Sequence, residues 1–197
     1  MSVSQELRDL NLISGDKVSE TFDCIYSDIL TMNITSHGEF IDELWSRYNS
    51  ITPSLNGKIF EGLLATVFYR SGILPFYVEA KLAFVPNVSF DFVAYSKEYG
   101  PIVLSAKTSL RERYKQADLE GMMLRQVHRR SKSYLITLNE KEARTVNDKI
   151  ETGLVLGLDD VVIANSEGMD TLICGLKKLE YYEPEKIDIL SGNRVVK

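Results

Sequence analysis

The 197-residue sequence predicts a single mixed α/β domain in which helices flank a β-sheet. Three patterns favour this fold class. Apolar residues recur at three- and four-residue spacing through residues 1–50, three strand-like runs follow in close succession, and helical and strand patterns then alternate. With 44% hydrophobic and 26% charged residues, the composition is that of a globular protein able to bury a core.

The N-terminal part, residues 1–50, is predicted to be helical from the spacing of its apolar residues. A stronger helix follows Pro53, presents a broad apolar face and ends at Gly72. We expect residues 51–180 to form the core of one domain that spans residues 1–197.

Three consecutive runs rich in β-branched and aromatic residues are predicted to form an antiparallel meander, because only short turn segments separate them. A basic helix, a short strand, a polar helix, a second short strand and a last helix are predicted to follow. The closing residues, 191–197, are expected to fray. The three runs span 76–84, 88–96 and 101–109, and the later elements span 111–130, 134–138, 140–151, 160–164 and 169–179.

Several classes of protein are disfavoured by the sequence. The two cysteines, Cys24 and Cys174, are far apart and match no zinc-binding spacing, so both are expected to be buried reduced thiols. His37 precedes a glycine and is expected in a loop. No stretch is long enough to span a bilayer, and the first residues lack the pattern of a signal peptide. We therefore expect a cytoplasmic protein with no membrane partner.

The charge distribution is uneven. The net charge is −5, yet residues 107–132 contain eight basic and three acidic residues. A basic segment on an acidic protein is compatible with a phosphate-binding surface, since local charge attracts nucleic acid more than the total does. A solvated helix face is the alternative explanation of the same charges.

Five residues form a candidate catalytic constellation. Ser105 and Lys107 share one face of the third predicted strand, and Asp91 can lie beside them if the second strand pairs with the third. Glu120 lies on the next helix, and Glu61 interrupts the apolar helix before the sheet. Burying any one of these charges alone would be costly. A cluster of carboxylates with a lysine can instead bind Mg²⁺ and hydrolyse a phosphodiester.

This arrangement resembles the PD-(D/E)xK nuclease superfamily. Asp91 on the second strand, Lys107 ending the third and Glu61 on the preceding helix match its pattern. Two positions depart from it, because Ser105 stands where the family has Asp or Glu, and Phe90 stands where it has Pro.

One branch of the superfamily, the EcoRII- and NgoMIV-type restriction endonucleases, has the same departure. That branch is similar in using an S-x-K strand and moving the missing carboxylate to the following helix. Here Ser105 and Lys107 form S-x-K, and twelve residues separate Lys107 from Glu120.

The same branch carries K-x3-RER, with which it reads CC/GG base pairs, and Lys107 is followed at this spacing by Arg111, Glu112 and Arg113. An arginine can donate two hydrogen bonds to guanine, and a glutamate can accept one from cytosine, so each good contact discriminates by about 1–3 kcal/mol. We expect these three residues and Lys115 to contact DNA. An ordinary salt-bridge cluster at the start of a helix is the alternative.

The resemblance implies a restriction-endonuclease-like fold with residues 51–180 as its catalytic core. It also implies a magnesium-dependent type II site-specific deoxyribonuclease that cuts double-stranded DNA at a short G/C-containing site as a homodimer. Asp91 and Glu120 would hold the metal with Glu61 nearby, Lys107 would position or activate the attacking water, and Ser105 would orient its neighbours. Three alternatives stay open: a nicking or repair nuclease of the same superfamily, an inactive DNA-binding subunit, and a structural or interaction protein.

Overall fold

The computed structural model describes residues 2–48, 53–185 and 189–197. Seven helices and six strands lie within these ranges. The helices are α1 (Val3–Asp9), α2 (Asp16–Ile25), α3 (His37–Arg47), α4 (Pro53–Arg70), α5 (Arg113–Val127), α6 (Glu140–Glu151) and α7 (Glu167–Leu176). The strands are β1 (Phe76–Leu82), β2 (Phe90–Ser96), β3 (Gly100–Lys107), β4 (Lys132–Thr137), β5 (Asp160–Ile163) and β6 (Ile189–Val196).

The six strands form one mixed sheet in the order β5-β4-β3-β2-β1-β6. β1, β2 and β3 pair antiparallel, as predicted, and β3, β4 and β5 pair parallel through the crossover helices α5 and α6. Because these strands are parallel, the carboxyl ends of β3, β4 and β5 lie at the same end of the sheet. The predicted class, a mixed sheet flanked by helices with a helical N-terminal part, is confirmed.

Helices cover both faces of the sheet. On one face, α4 inserts Phe68 between Phe76 of β1 and Phe92 of β2, with ring centroids 6.0 and 5.3 Å away in edge-to-face contacts. Residues of α1, α2, α3 and α7 belong to the same buried cluster. On the other face, α5 and α6 pack over β4 and β5, with Leu110 and Leu135 fully buried between them. Burial of such side chains contributes about 1.5–3 kcal/mol each.

The expectation that residues 191–197 fray is wrong. They belong to β6, which pairs antiparallel with β1 and forms an edge strand of the sheet, and Val196 is fully buried. The polar stretch from Ser191 to Asn193 is typical of a turn, but the side of β1 that faces away from β2 supplies backbone hydrogen-bond partners that local sequence does not reveal.

Two further expectations are wrong. Cys24 and Cys174 are free but exposed, because each lies on the solvent-facing side of an amphipathic helix. His37 begins α3 instead of lying in a loop, since Asp170 of α7 accepts hydrogen bonds from its backbone N–H at 2.5 Å and from the Ser36 hydroxyl at 2.7 Å. In the described ranges, no helix combines the length and apolarity needed to cross a membrane.

Candidate active site

Asp91 and Lys107 form an ion pair where β2 begins and β3 ends. Lys107 Nζ donates to Asp91 Oδ2 at 2.6 Å, and the backbone N–H of Ala106 donates to the same oxygen at 2.7 Å. Phe92 pairs with Leu104, so Asp91 lies beside Ser105 and faces the same side of the sheet as Lys107. The side chains of Lys107 and Asp91 are only 27% and 19% exposed, so water screens their attraction weakly.

Glu61 projects from α4 toward this pair. Burial first, and then the negative charge of Asp91, raise the pKa of its carboxyl from 4.5 to about 7, against the lowering effects of Lys58 and Lys107. Among the described residues, Glu61 has no hydrogen-bond or ion-pair partner of its own. The cations near Glu61 therefore act on its half-buried carboxylate electrostatically, without a hydrogen bond or ion pair among the described residues.

Glu120 lies on α5 and interacts electrostatically with the pair. Gln116 Nε2 donates to its Oε1 at 2.7 Å. Burial raises the pKa of the Glu120 carboxyl, the hydrogen bond from Gln116 and the charge of Lys107 lower it, and Asp91 raises it. The carboxyl of Glu120 therefore lies within the electrostatic field of both Lys107 and Asp91, although α5 begins six residues after β3 ends.

Ser105 is buried at 8% exposure and lies on the same side of β3 as Val103, which belongs to one buried cluster with Leu124 of α5. Its neighbours on this side are Asp91 and Lys107, as strand alternation predicted. The structure thus places Asp91, Ser105 and Lys107 side by side, and the carboxyls of Glu61 and Glu120 interact electrostatically with Asp91 and Lys107.

The donor set is suited to magnesium, which prefers carboxylate oxygens. Glu61 favours such a site, because no cation among the described residues makes hydrogen-bond contact with its half-buried carboxylate. Among the described residues, no group of three or more His, Cys, Asp or Glu side chains is gathered closely enough to hold a metal ion. Magnesium commonly uses only one or two protein carboxylates and completes its octahedron with water and phosphate oxygens. The carboxylates of Asp91, Glu120 and Glu61 are of the ligand type that this mode of binding uses.

Arg111, Glu112 and Arg113 are exposed and lie at the junction between β3 and α5. The helix was predicted to begin at residue 111 but begins at Arg113, because Arg111 has a left-handed backbone with φ of 41°. Glu112 pairs with Lys115. Within the described part of the chain, neither arginine has a hydrogen-bond or ion-pair partner for its guanidinium. Both are therefore available to bind an acceptor.

Sequence reasoning missed several residues around the site. Glu79 of β1 has a left-handed backbone with φ of 51°, and its carboxylate lies 3.4 Å from Lys58 Nζ. Burial lowers the pKa of Arg194 on β6, while Glu79 and Glu61 act in the opposite direction. Lys58 lies one helical turn before Glu61, a spacing that offers a sequence signal. The positions of Glu79 and Arg194 depend on long-range strand pairing and offer none.

Glu142 was also missed. Its carboxylate accepts hydrogen bonds from the backbone N–H groups of Leu110 at 2.6 Å and Arg111 at 3.3 Å. A cleft of about 410 Å³ separates the Arg111–Glu112 turn from α6. Asn139 and Glu142 form an N-x-x-E pattern at the start of α6, which marks a helix start and could have drawn attention to this carboxylate.

No protein-family model matches this chain, and no curated protein sequence matches it significantly. Among solved structures, it is similar to a chain described as "Restriction endonuclease PspGI-substrate DNA complex", with a TM-score of 0.46 and 18% sequence identity. The match covers 73% of this chain and 57% of that chain. A similarity of this extent assigns no role to any residue here, so function has to be inferred from the geometry of the site.

Proposed function

We propose that this chain is a magnesium-dependent deoxyribonuclease of the type II restriction endonuclease kind, which hydrolyses phosphodiester bonds in double-stranded DNA. The observation that carries the proposal is the Asp91–Lys107 pair at the end of the sheet, with the carboxyls of Glu61 and Glu120 in its field. Carboxyl groups with raised pKa values beside a lysine are typical of catalytic sites.

In this proposal Asp91 and Glu120 provide oxygen ligands for magnesium, and Glu61 provides a third oxygen donor, directly or through water. The ion, when bound, supplies a Lewis acid that stabilises charge on the phosphate and acidifies a bound water. Lys107 donates a hydrogen bond to the attacking water or to the phosphate. Its ammonium is already held by Asp91 Oδ2 at 2.6 Å, so little side-chain freedom has to be lost on substrate binding. Ser105 orients the neighbouring side chains.

Sequence recognition is proposed for the exposed Arg111-Glu112-Arg113 turn. The two guanidinium groups have no partner among the described residues and are able to donate to guanine O6 and N7, and Glu112 is able to accept from cytosine N4. Lys115 would add a phosphate contact once DNA competes for its pairing with Glu112. A short site of the CC/GG type fits this set of donors and acceptors.

A palindromic site would require a homodimer, because two active sites must then reach two strands related by a two-fold axis. Sedimentation of the protein with and without a recognised duplex would test this. A monomer that nicks one strand would support a nicking or repair nuclease instead.

The decisive experiment is a cleavage assay on unmethylated plasmid and phage DNA, in Mg²⁺ and in EDTA. Lys107→Ala is compared with Lys178→Ala, which removes an exposed lysine far along the chain from the site. We expect discrete fragments that need Mg²⁺, disappear with Lys107→Ala and persist with Lys178→Ala. Cleavage in EDTA, or full activity of Lys107→Ala, would refute the mechanism.

A DNA-binding subunit without catalytic activity is a second candidate. The observation that favours it is that no three potential ligands are gathered at metal-binding distances in the described residues. It predicts affinity for G/C-containing duplexes that falls steeply with salt, without cleavage at any metal concentration. A purely structural protein would have no salt-dependent affinity for DNA at all.

A further inference from the structure

We propose that Glu142 is a positioning residue for DNA sequence readout, which fixes the turn that presents Arg111 and Arg113. This inference rests on the proposed function and adds to it a residue from α6, 31 positions after Arg111. The carboxylate of Glu142 accepts hydrogen bonds from two consecutive backbone N–H groups, those of Leu110 and Arg111.

The backbone at this point needs an external restraint. Arg111 has φ of 41°, a left-handed conformation that an L-residue with a side chain adopts only when its surroundings hold it there. The carboxylate of Glu142 binds the N–H groups of the two peptide units that flank Leu110, immediately before the left-handed residue. A further backbone hydrogen bond, from Arg113 N to the carbonyl of Leu110 at 2.6 Å, closes the turn and starts α5.

The turn is also tied to the sheet. Thr137, the last residue of β4, pairs with Lys107, and its hydroxyl accepts a hydrogen bond from Asn139 N at 3.2 Å. Asn139 Oδ1 in turn accepts from Glu142 N at 3.1 Å and so caps α6. A chain of hydrogen bonds therefore runs from the partner of Lys107 to Glu142 and then to the backbone of Arg111.

Two features distinguish this arrangement from simple loop packing. Leu110 is fully buried between α5 and α6, which anchors the turn from below, whereas Arg111 next to it is exposed. The carboxylate of Glu142 restrains the backbone and leaves the guanidinium of Arg111 unengaged. The restraint therefore sets the direction of the Arg111 and Arg113 side chains relative to Lys107 and leaves their N–H donors free of Glu142. A preorganised recognition site requires both properties.

The test compares Glu142→Gln and Glu142→Ala with Glu140→Gln, a control on the first turn of the same helix whose exposed side chain pairs with Arg144. Amide hydrogen exchange at Leu110 and Arg111, measured by NMR, reports the anchor directly. Affinity is measured in Ca²⁺ for a pool of duplexes with a central CC/GG step and randomised flanks, and for a matched pool with TT/AA.

We expect both Glu142 variants to accelerate exchange at the two amides and to lower discrimination between the pools by about tenfold, the value of one good base contact. Affinity for the TT/AA pool and the behaviour of Glu140→Gln should stay within about twofold, well below that contact. A merely structural role would weaken binding to both pools equally. If Glu142→Ala fails to fold, the isosteric Glu142→Gln decides the matter.

Three outcomes would overturn the inference. Unchanged amide exchange in the variants would remove the anchor, and unchanged discrimination despite faster exchange would remove its role in readout. If the wild-type protein itself does not discriminate between the pools, the proposed function fails and this role fails with it. In that last case the amide exchange still shows whether Glu142 restrains the turn, so the two failures are distinguishable.

Discussion

Replacing Glu61 by glutamine should stabilise the metal-free protein, and the gain should depend on pH. Burial and the nearby Asp91 raise the pKa of Glu61 from 4.5 to about 7. The folded protein therefore binds more protons at this group than the unfolded chain does, so ionising Glu61 costs stability as the pH rises above 4.5. At about 1.36 kcal/mol per pKa unit, the penalty reaches about 3 kcal/mol once the pH exceeds the folded-state value.

Glutamine has the shape of the protonated carboxyl and cannot ionise. The stability advantage of Glu61→Gln should therefore grow from under about 1 kcal/mol at pH 5 to about 3 kcal/mol at pH 8. Urea denaturation in EDTA at pH 5, 6, 7 and 8 measures it, with Glu140→Gln as an exposed control on another helix. The difference between variant and wild type cancels the titration of all other groups. An advantage that does not change with pH, or a variant less stable than wild type at pH 8, would refute the reasoning.

Three other predictions follow from the same contacts. Lys107→Ala should lower the cleavage rate at least about 100-fold, measured on plasmid DNA, while affinity for the duplex in Ca²⁺ changes far less. Arg111→Gly should raise the free energy of unfolding by up to about 1 kcal/mol, because glycine tolerates the left-handed φ. The same change should reduce discrimination of G/C sites, and a large loss of stability would contradict the reasoning. Val196→Ala should lower the free energy of unfolding by about 2 kcal/mol in urea denaturation. Val195→Ala, on the less buried face of β6, should lower it clearly less. Equal small effects would argue against a C-terminal strand that pairs with β1.

The fold class and the central ion pair were predictable because they depend on local patterns. The three strands of the meander follow one another with short turns, so antiparallel pairing is the simplest connection. Once β2 and β3 pair, side-chain alternation alone places Asp91 and Lys107 on one face. The helix that carries Glu120 follows directly and has to return across the sheet to reach the parallel strand β4.

The missed features depend on contacts between distant segments. β6 reaches the edge of β1 from more than 100 residues away, and a sequence containing Ser191, Gly192 and Asn193 has little strand propensity of its own. Cys24 is exposed because of the way α2 is rotated about its axis, and the few apolar residues of this helix do not define that rotation in the sequence. Glu142 is one of several acidic residues on α6, and only the folded chain distinguishes the one that meets the backbone of Arg111.

The site combines groups that a fold selected for stability alone would not place together. Ionised Glu61 lowers the stability of the domain because burial and Asp91 both oppose its charge, and a neutral isostere should relieve that cost. Active sites are the usual place where such destabilising groups occur, and there a stabilising substitution tends to reduce activity. Two measurements on Glu61→Gln therefore carry more information together than either does alone. Higher stability in EDTA with lost cleavage in Mg²⁺ would assign Glu61 to catalysis. Higher stability with full cleavage would mean that its burial results only from the packing of α4, and that Asp91, Lys107 and Glu120 form the active site without it.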